Sequence, residues 1–339
     1  MAARGHAVTV AAPPESRIYA EARRRGLDAA ALPIARKNLA GFASLYRWLK
    51  SNRVDVINTH SSTDSWLAAL ACALSRNAPP IVRTRHISAP VPDNRATRWL
   101  YLSGTSHIVT TGENLRLQLI ESNRFPGERI TSVPTGIDTR RFAPGERAAA
   151  RRALALPCES ILIGIVATLR SWKGHRFLLD AFAALPRRDC VLAIVGDGPQ
   201  RESLESQVER LAIGDRVRMA GNQADVLPWL HALDVFALPS YANEGVPQAL
   251  VQAMLCALPC VTTNVGSICE AAVHEKTALV VAPQDARALE QALARLIESP
   301  ALRARIGAAA RDWCAERFGI ETMLDRMEAL FTRVAADRR

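Results

Sequence analysis

Short, dense apolar runs alternate along this chain with longer stretches in which apolar residues recur every three or four positions. The first pattern predicts buried strands and the second predicts helices that pack on one face. Strands are predicted at 6–11, 54–59, 80–84, 106–110 and 130–133, and again at 161–167, 190–195, 217–220, 234–238, 260–263 and 278–282. Leu289, Leu293, Leu296 and Ile297 fall at helical spacing after the last of these. Such βα alternation argues for an α/β fold of parallel, doubly wound sheets. Two sets of strands make two Rossmann-like domains, with ligands bound beyond the carboxyl ends of the strands, in a cleft that both domains face. Gly136, Pro144 and Gly145 interrupt the pattern and mark a linker over 138–147. The expected domains are therefore 1–140 and 141–318, with 319–339 a terminal helical segment.

Composition narrows the class. Of 339 residues, 49% are hydrophobic and 22% charged, enough to bury two cores. No apolar run approaches the roughly 20 residues of a membrane span. The seven cysteines are scattered, and none forms a C-x-x-C pair, which suits reduced thiols in the cytoplasm and no metal site. The net charge of +10 lies wholly in residues 1–141, which hold 20 Lys/Arg against 10 Asp/Glu. That asymmetry suits an acidic acceptor or an anionic membrane surface. Nucleic acid is not expected as a partner, since no aromatic-interleaved basic stripe or known binding module is present.

One turn concentrates the chemistry. Ser240-Tyr241-Ala242-Asn243-Glu244-Gly245-Val246-Pro247 joins a buried run to a helical stretch, 248–257. Val251, Met254 and Leu255 give that helix a packed face. Gly245 permits a tight backbone and Pro247 suits the first helical turn. Free amides at a helix start attract phosphate, and the Glu244 carboxylate can accept from sugar hydroxyls. Lys173, on the turn after 161–167, can neutralise a diphosphate. Gly196-Asp197-Gly198-Pro199 follows a strand and opens a helix, but Arg201 replaces the third glycine of a dinucleotide fingerprint, so NAD chemistry is a remote reading. His60 and His86 each follow a predicted strand, and Arg83 and Arg85 precede the second of these positions. No D-x-D segment occurs, so no metal-bound nucleotide of that kind is expected.

These segments, taken in order, resemble the retaining glycosyltransferases of the GT-B fold, the family 4 or group 1 enzymes that include bacterial cell-surface polysaccharide and lipopolysaccharide synthesis. The resemblance rests on Arg4–Val10, Val82-Arg83-Thr84-Arg85-His86, Val133–Asp138, Ala167–His175, Val195–Pro199 and the Glu244 turn. It covers nearly the whole chain. It implies a nucleotide-diphosphate sugar as donor and no cofactor or metal ion. Lys173 and Arg170 would face the donor diphosphate, with Thr168 standing where the family usually has arginine. Glu244 matches the first glutamate of the family's E-x7-E region and would contact the donor sugar. Gln252 replaces the second glutamate and can still bond ribose hydroxyls. Gly245 and Val246 would offer amides to the distal phosphate, and Gly196 would line the nucleotide pocket. His86 would lie beside the transferred sugar; His60, Arg83 and Arg85 would lie on the acceptor side.

The resemblance further implies a front-face displacement with retention, a glycan or lipid-linked acceptor, and a cytoplasmic enzyme held peripherally on the inner face of the cell membrane. Segment 320–336 would be the family's terminal helix that returns to the first domain. Ala2–His6 matches a position already one βα unit into the family, so the first strand and its Gly-rich loop are expected to be missing. Two other readings stand beside this one: a sugar-nucleotide epimerase of the same fold, and a non-catalytic donor-binding remnant.

Overall fold

The computed structural model describes residues 1–86, 89–242 and 244–337. The chain forms two compact units, Met1–Val133 with Met323–Arg339, and Pro134–Thr322. No described helix is long and apolar enough to cross a membrane.

In the first unit, β1 (Thr9–Ala12) and β2 (Asp28–Ala31) pair in parallel. A second parallel sheet holds β3 (Ile57–Thr59), β4 (Ile81–Arg85), β5 (His107–Thr110) and β6 (Ile130–Ser132) in chain order. Successive strand residues face opposite sides. Ile81, Ile108 and Ile130 therefore pack with Leu67, Ala68 and Leu100 on one face. Val82, Val109 and Val133 meet Leu330 and Val334 of the terminal helix, Ile320–Ala336, on the other. β4 begins at Ile81 rather than residue 80, because Pro80 has no N–H for the ladder. Its carbonyl still accepts from the Ile57 amide at 3.0 Å. β2 was not predicted: Asp-Ala-Ala-Ala has none of the β-branched or aromatic residues that mark strands. β1 begins at Thr9 because the preceding segment is engaged elsewhere. The turn Ala2–Arg4 closes on Gly5 at φ +86°. Arg4 Nη1 then donates to Asp325 at 2.7 Å and Glu328 at 2.9 Å, and His6 Nε2 meets Glu328 Oε1 at 2.7 Å.

The second unit holds β7 (Ile161–Val166), β8 (Cys190–Val195), β9 (Val217–Gly221), β10 (Val235–Leu238), β11 (Cys260–Thr263) and β12 (Leu279–Val281). The parallel order is β12-β11-β10-β7-β8-β9. The chain moves outward from β7 to β9, then returns to the opposite side of β7 and moves outward again. The reversal lies between β7 and β10. At such a reversal the connections leave the carboxyl ends in opposite directions and open a crevice. Helices cover these strands: Leu289, Leu293, Leu296 and Ile297 of Ala286–Glu298 are buried. Helix Gln248–Leu255 ends two residues short of the expected 257, since Ala257 takes a left-handed backbone at φ +58°.

Candidate active site

The loops leaving β7 and β10, neighbours at the reversal, carry Lys173 and Glu244. Lys173 closes a 3-10 turn, Ser171–Lys173. Its Nζ donates to Glu244 Oε1 at 2.6 Å, and Ser240 Oγ donates to the same oxygen at 2.6 Å. Glu244 is only 5% exposed, so this carboxylate is held by one ammonium and one hydroxyl in a poorly hydrated place. The Tyr241 amide donates to the Trp172 carbonyl at 2.8 Å and ties the two loops together. Two glycines fix their approach. A Cβ on Gly174, at φ +76°, would lie 1.9 Å from the Pro239 carbonyl oxygen; one on Gly266, at φ +58°, would lie 2.0 Å from that of Glu244.

The remaining donor-side candidates surround this pair in different ways. Arg170 is exposed and lies over the Trp172 ring at 5.7 Å. Among the described residues, the Gly245 and Val246 amides have no protein acceptor, and they lead directly into helix Gln248–Leu255. Gln252 is half-buried within that helix. The Gly196 amide donates to the Gly221 carbonyl at 2.8 Å, and its φ of +143° lets the turn press on the Ala167 carbonyl. Gly196 thus packs the β8 turn against the β7 loop. Among the described residues, no group of three His, Cys, Asp or Glu side chains is placed to hold a metal ion.

His175 follows the pair and is buried, with neither ring nitrogen bonded. Burial, aided by the nearby Lys173 ammonium, holds its pKa down to about 4. His107 of the first unit is also pushed to about 4, by burial and then by Arg333 and Arg129. Both values lie below the ordinary 6.5, so the unfolded chain binds more protons between pH 4 and 6.5. Stability contributed by the two neutral rings is full above pH 6.5 and is lost as pH falls towards 4, by about 3 kcal/mol for the deeply buried His175 and by less for His107. Chemical denaturation at stepped pH should show this decline. His175→Leu should flatten its part of it; an unchanged slope would contradict the assignment.

The first unit brings together a second set. His60 follows β3 and His86 follows β4; His60 Nδ1 lies 3.1 Å from His86 Nε2, with the rings stacked at 5.3 Å. The surrounding protein lowers both pKa values, and at His86 the neighbouring His60 lowers it further. In the neutral pair one ring donates and the other accepts. The His60 and Ser61 amides donate to the Asp64 carboxylate at 2.9 and 2.8 Å. Arg83 and Arg85 lie on the same face of β4, both against Tyr101.

Comparison with known proteins identifies the family and the fold. Residues 1–141 match the family described as Glycosyltransferase Family 4, and residues 146–313 match Glycosyl transferases group 1. The chain is a glycosyltransferase of this group. A D-inositol 3-phosphate glycosyltransferase of Saccharomonospora viridis is 29% identical to it, over 83% of this chain and 70% of the relative. An Escherichia coli UDP-Gal:alpha-D-GlcNAc-diphosphoundecaprenol alpha-1,3-galactosyltransferase is 24% identical over 89% and 81%. Among solved structures, a Rickettsia africae glycosyltransferase superposes with a TM-score of 0.88 at 18% identity, over 98% of this chain and 91% of the other. Anabaena HepE, in complex with UDP, gives 0.87 at 20% identity over 96% and 92%. These likenesses show the α/β fold of the GT-B glycosyltransferases.

Three residues that contact the candidate side chains were missed in the sequence. Ser240 had a legible signal, a hydroxyl at the end of a buried run four positions before Glu244. Asp64 stands three residues after Ser61, the spacing of a capping box, which the structure forms. Tyr101 gave no signal, being one more large residue on a helix, Arg95–Leu102.

Proposed function

We propose that this enzyme transfers a sugar from a nucleoside-diphosphate donor to a hydroxyl of a glycan or lipid-linked acceptor, with retention at the anomeric carbon. The observation that carries the reading is the Lys173–Glu244 pair at the β7/β10 reversal, beside the unbonded amides of Gly245 and Val246. An ammonium and two amides suit a diphosphate, and a buried carboxylate suits sugar hydroxyls. The names of the relatives support a nucleotide-sugar donor, since one uses UDP-Gal and HepE holds UDP. Arg170 would add charge at the diphosphate, Gln252 would take the ribose, and Gly196 would shape the nucleotide pocket. His86 would lie beside the transferred sugar, with His60, Arg83 and Arg85 towards the acceptor.

In the proposed step the acceptor oxygen bonds to the anomeric carbon on the face that the diphosphate leaves. The bond from that carbon to the phosphate oxygen breaks, and the acceptor proton passes to the departing phosphate. Lys173 and the amides stabilise the charge that develops there, so no metal ion is required in this reading. A thermal-shift screen over UDP-, GDP- and ADP-sugars tests donor use, because a ligand of the folded state raises its melting temperature. Product anomeric configuration, read by NMR, tests retention. A melting temperature indifferent to every donor would remove the proposal.

Glu244→Gln should lower turnover about ten- to hundredfold while the affinity for bare nucleotide holds, since the carboxylate is assigned to the sugar. Equal losses for sugar nucleotide and nucleotide would move Glu244 to the phosphate end. A role in cell-envelope synthesis at the inner membrane face is part of the same reading, motivated by the +10 charge of residues 1–141. Binding to anionic vesicles should therefore weaken with salt, each basic residue near the surface contributing about 1 kcal/mol. Vesicle binding indifferent to lipid charge would discard the membrane placement.

A further inference from the structure

We propose that Arg83 and Arg85 form an oxyanion subsite that binds a phosphate carried by the acceptor. The inference rests on reading the first unit as the acceptor side. Residues 83 and 85 share one face of β4, about 7 Å apart along the strand. Both guanidiniums converge on Tyr101. Arg83 lies over its ring at 4.3 Å, and Arg85 Nη1 donates to its hydroxyl at 3.2 Å.

Among the described residues no carboxylate is in contact with either guanidinium, and Asp64 acts on Arg83 only from a distance. Arg83 is only 7% exposed. Its Nη1 and the Nε of Arg85 are buried without an acceptor, and among the described residues neither side chain forms an ion pair. Arginine does not shed its proton to escape such a place. The Tyr101 ring offsets part of the cost of burying that charge, but it accepts no in-plane N–H. The nearby carboxylate, Asp64, is engaged by the amides of His60 and Ser61 and by the Ser61 hydroxyl. The other charged or titratable neighbours are His60 and His86, which are held towards their neutral forms. Arg85 already donates Nη1 to the Tyr101 hydroxyl and Nη2 to the Ala89 carbonyl. An oxyanion would supply the negative charge that neither guanidinium has in contact, and acceptors for the buried Arg83 Nη1 and Arg85 Nε. Two guanidiniums suit the double charge of a phosphate monoester better than that of a single carboxylate. His86 follows Arg85 directly in the chain, so a phosphate held here would anchor an acceptor next to the stacked histidines.

The test titrates inorganic phosphate into the full chain, without donor, by calorimetry and by 31P line broadening. Wild type should bind. Arg83→Gln and Arg85→Gln should each weaken binding at least about tenfold, and Arg83→Lys less. Lys173→Ala should retain it, which separates this subsite from the donor diphosphate site. Glycerol 1-phosphate should displace phosphate and glycerol should not, as an acceptor-borne phosphate requires. Arg83→Met guards against misfolding: it keeps bulk, removes the unpaired charge, and should melt no lower than wild type in phosphate-free buffer while no longer responding to phosphate. Phosphate binding that survives the arginine substitutions, or that vanishes in Lys173→Ala alone, overturns the proposal. Donor screening of the wild type is read separately, so a protein that binds phosphate at Arg83 but no nucleotide sugar fails the functional reading and not this one.

Discussion

Lys173→Ala is expected to lower affinity for a nucleoside diphosphate by about ten- to hundredfold. A charge-assisted hydrogen bond in a partly buried place contributes about 1.5–3 kcal/mol, and 1.4 kcal/mol is tenfold in binding. The substitution has a second effect that the geometry dictates. Glu244 Oε1 would keep the Ser240 hydroxyl but lose the ammonium at 2.6 Å, leaving a carboxylate that is 5% exposed without its counter-charge. The melting temperature should therefore fall as well. Combining Lys173→Ala with Glu244→Gln separates the two effects: stability should recover, and nucleotide affinity should not. Calorimetry and thermal melts on the three variants read both. A folded Lys173→Ala that binds the nucleotide as wild type does would strip the lysine of its assigned role.

Gly174→Ala is expected to be more damaging than the gain of one methyl suggests. The left-handed backbone at φ +76° costs an ordinary residue about 1–2 kcal/mol. The new Cβ would also meet a backbone oxygen, that of Pro239, at 1.9 Å, and a carbonyl cannot swing aside as a side chain can. The loops of β7 and β10 would have to part, so about 3 kcal/mol or more should be lost, together with nucleotide binding. Gly26→Ala is the control. It has a similar φ of +70°, but nothing lies within 4 Å of its Cβ, so only the backbone cost should remain. Equal melting temperatures for the two variants would show that the approach to Pro239 is not what fixes the loop.

The strands of the second unit were legible almost residue by residue. Ile161–Val166 and Cys190–Val195 are covered on both faces, and such strands read as unbroken apolar runs. The two-stranded sheet of the first unit was legible only by half, because β2 is alanine-rich and takes its form from its neighbour β1. The site divides in the same way. Lys173 and Glu244 stood out as separate candidates, each on a strand-to-helix turn. Their direct pairing across 71 residues of chain did not, since it depends on β10 returning to lie beside β7. Arg83 and Arg85 were legible as a pair by the two-residue period of a strand. That they share Tyr101 without a carboxylate was not, because it is set by the packing of helix Arg95–Leu102.

The first unit is discontinuous, and this sets an order of events during synthesis. Val82, Val109 and Val133 wait for Leu330 and Val334 to cover them, and Arg4 and His6 wait for Asp325 and Glu328. Those partners leave the ribosome only after all of Pro134–Thr322 has been made. The second unit is continuous and can close on its own core while the first still exposes one apolar face of its sheet. Released chains that end at Thr322 should thus carry a protease-resistant second unit and a first unit that chaperones still recognise.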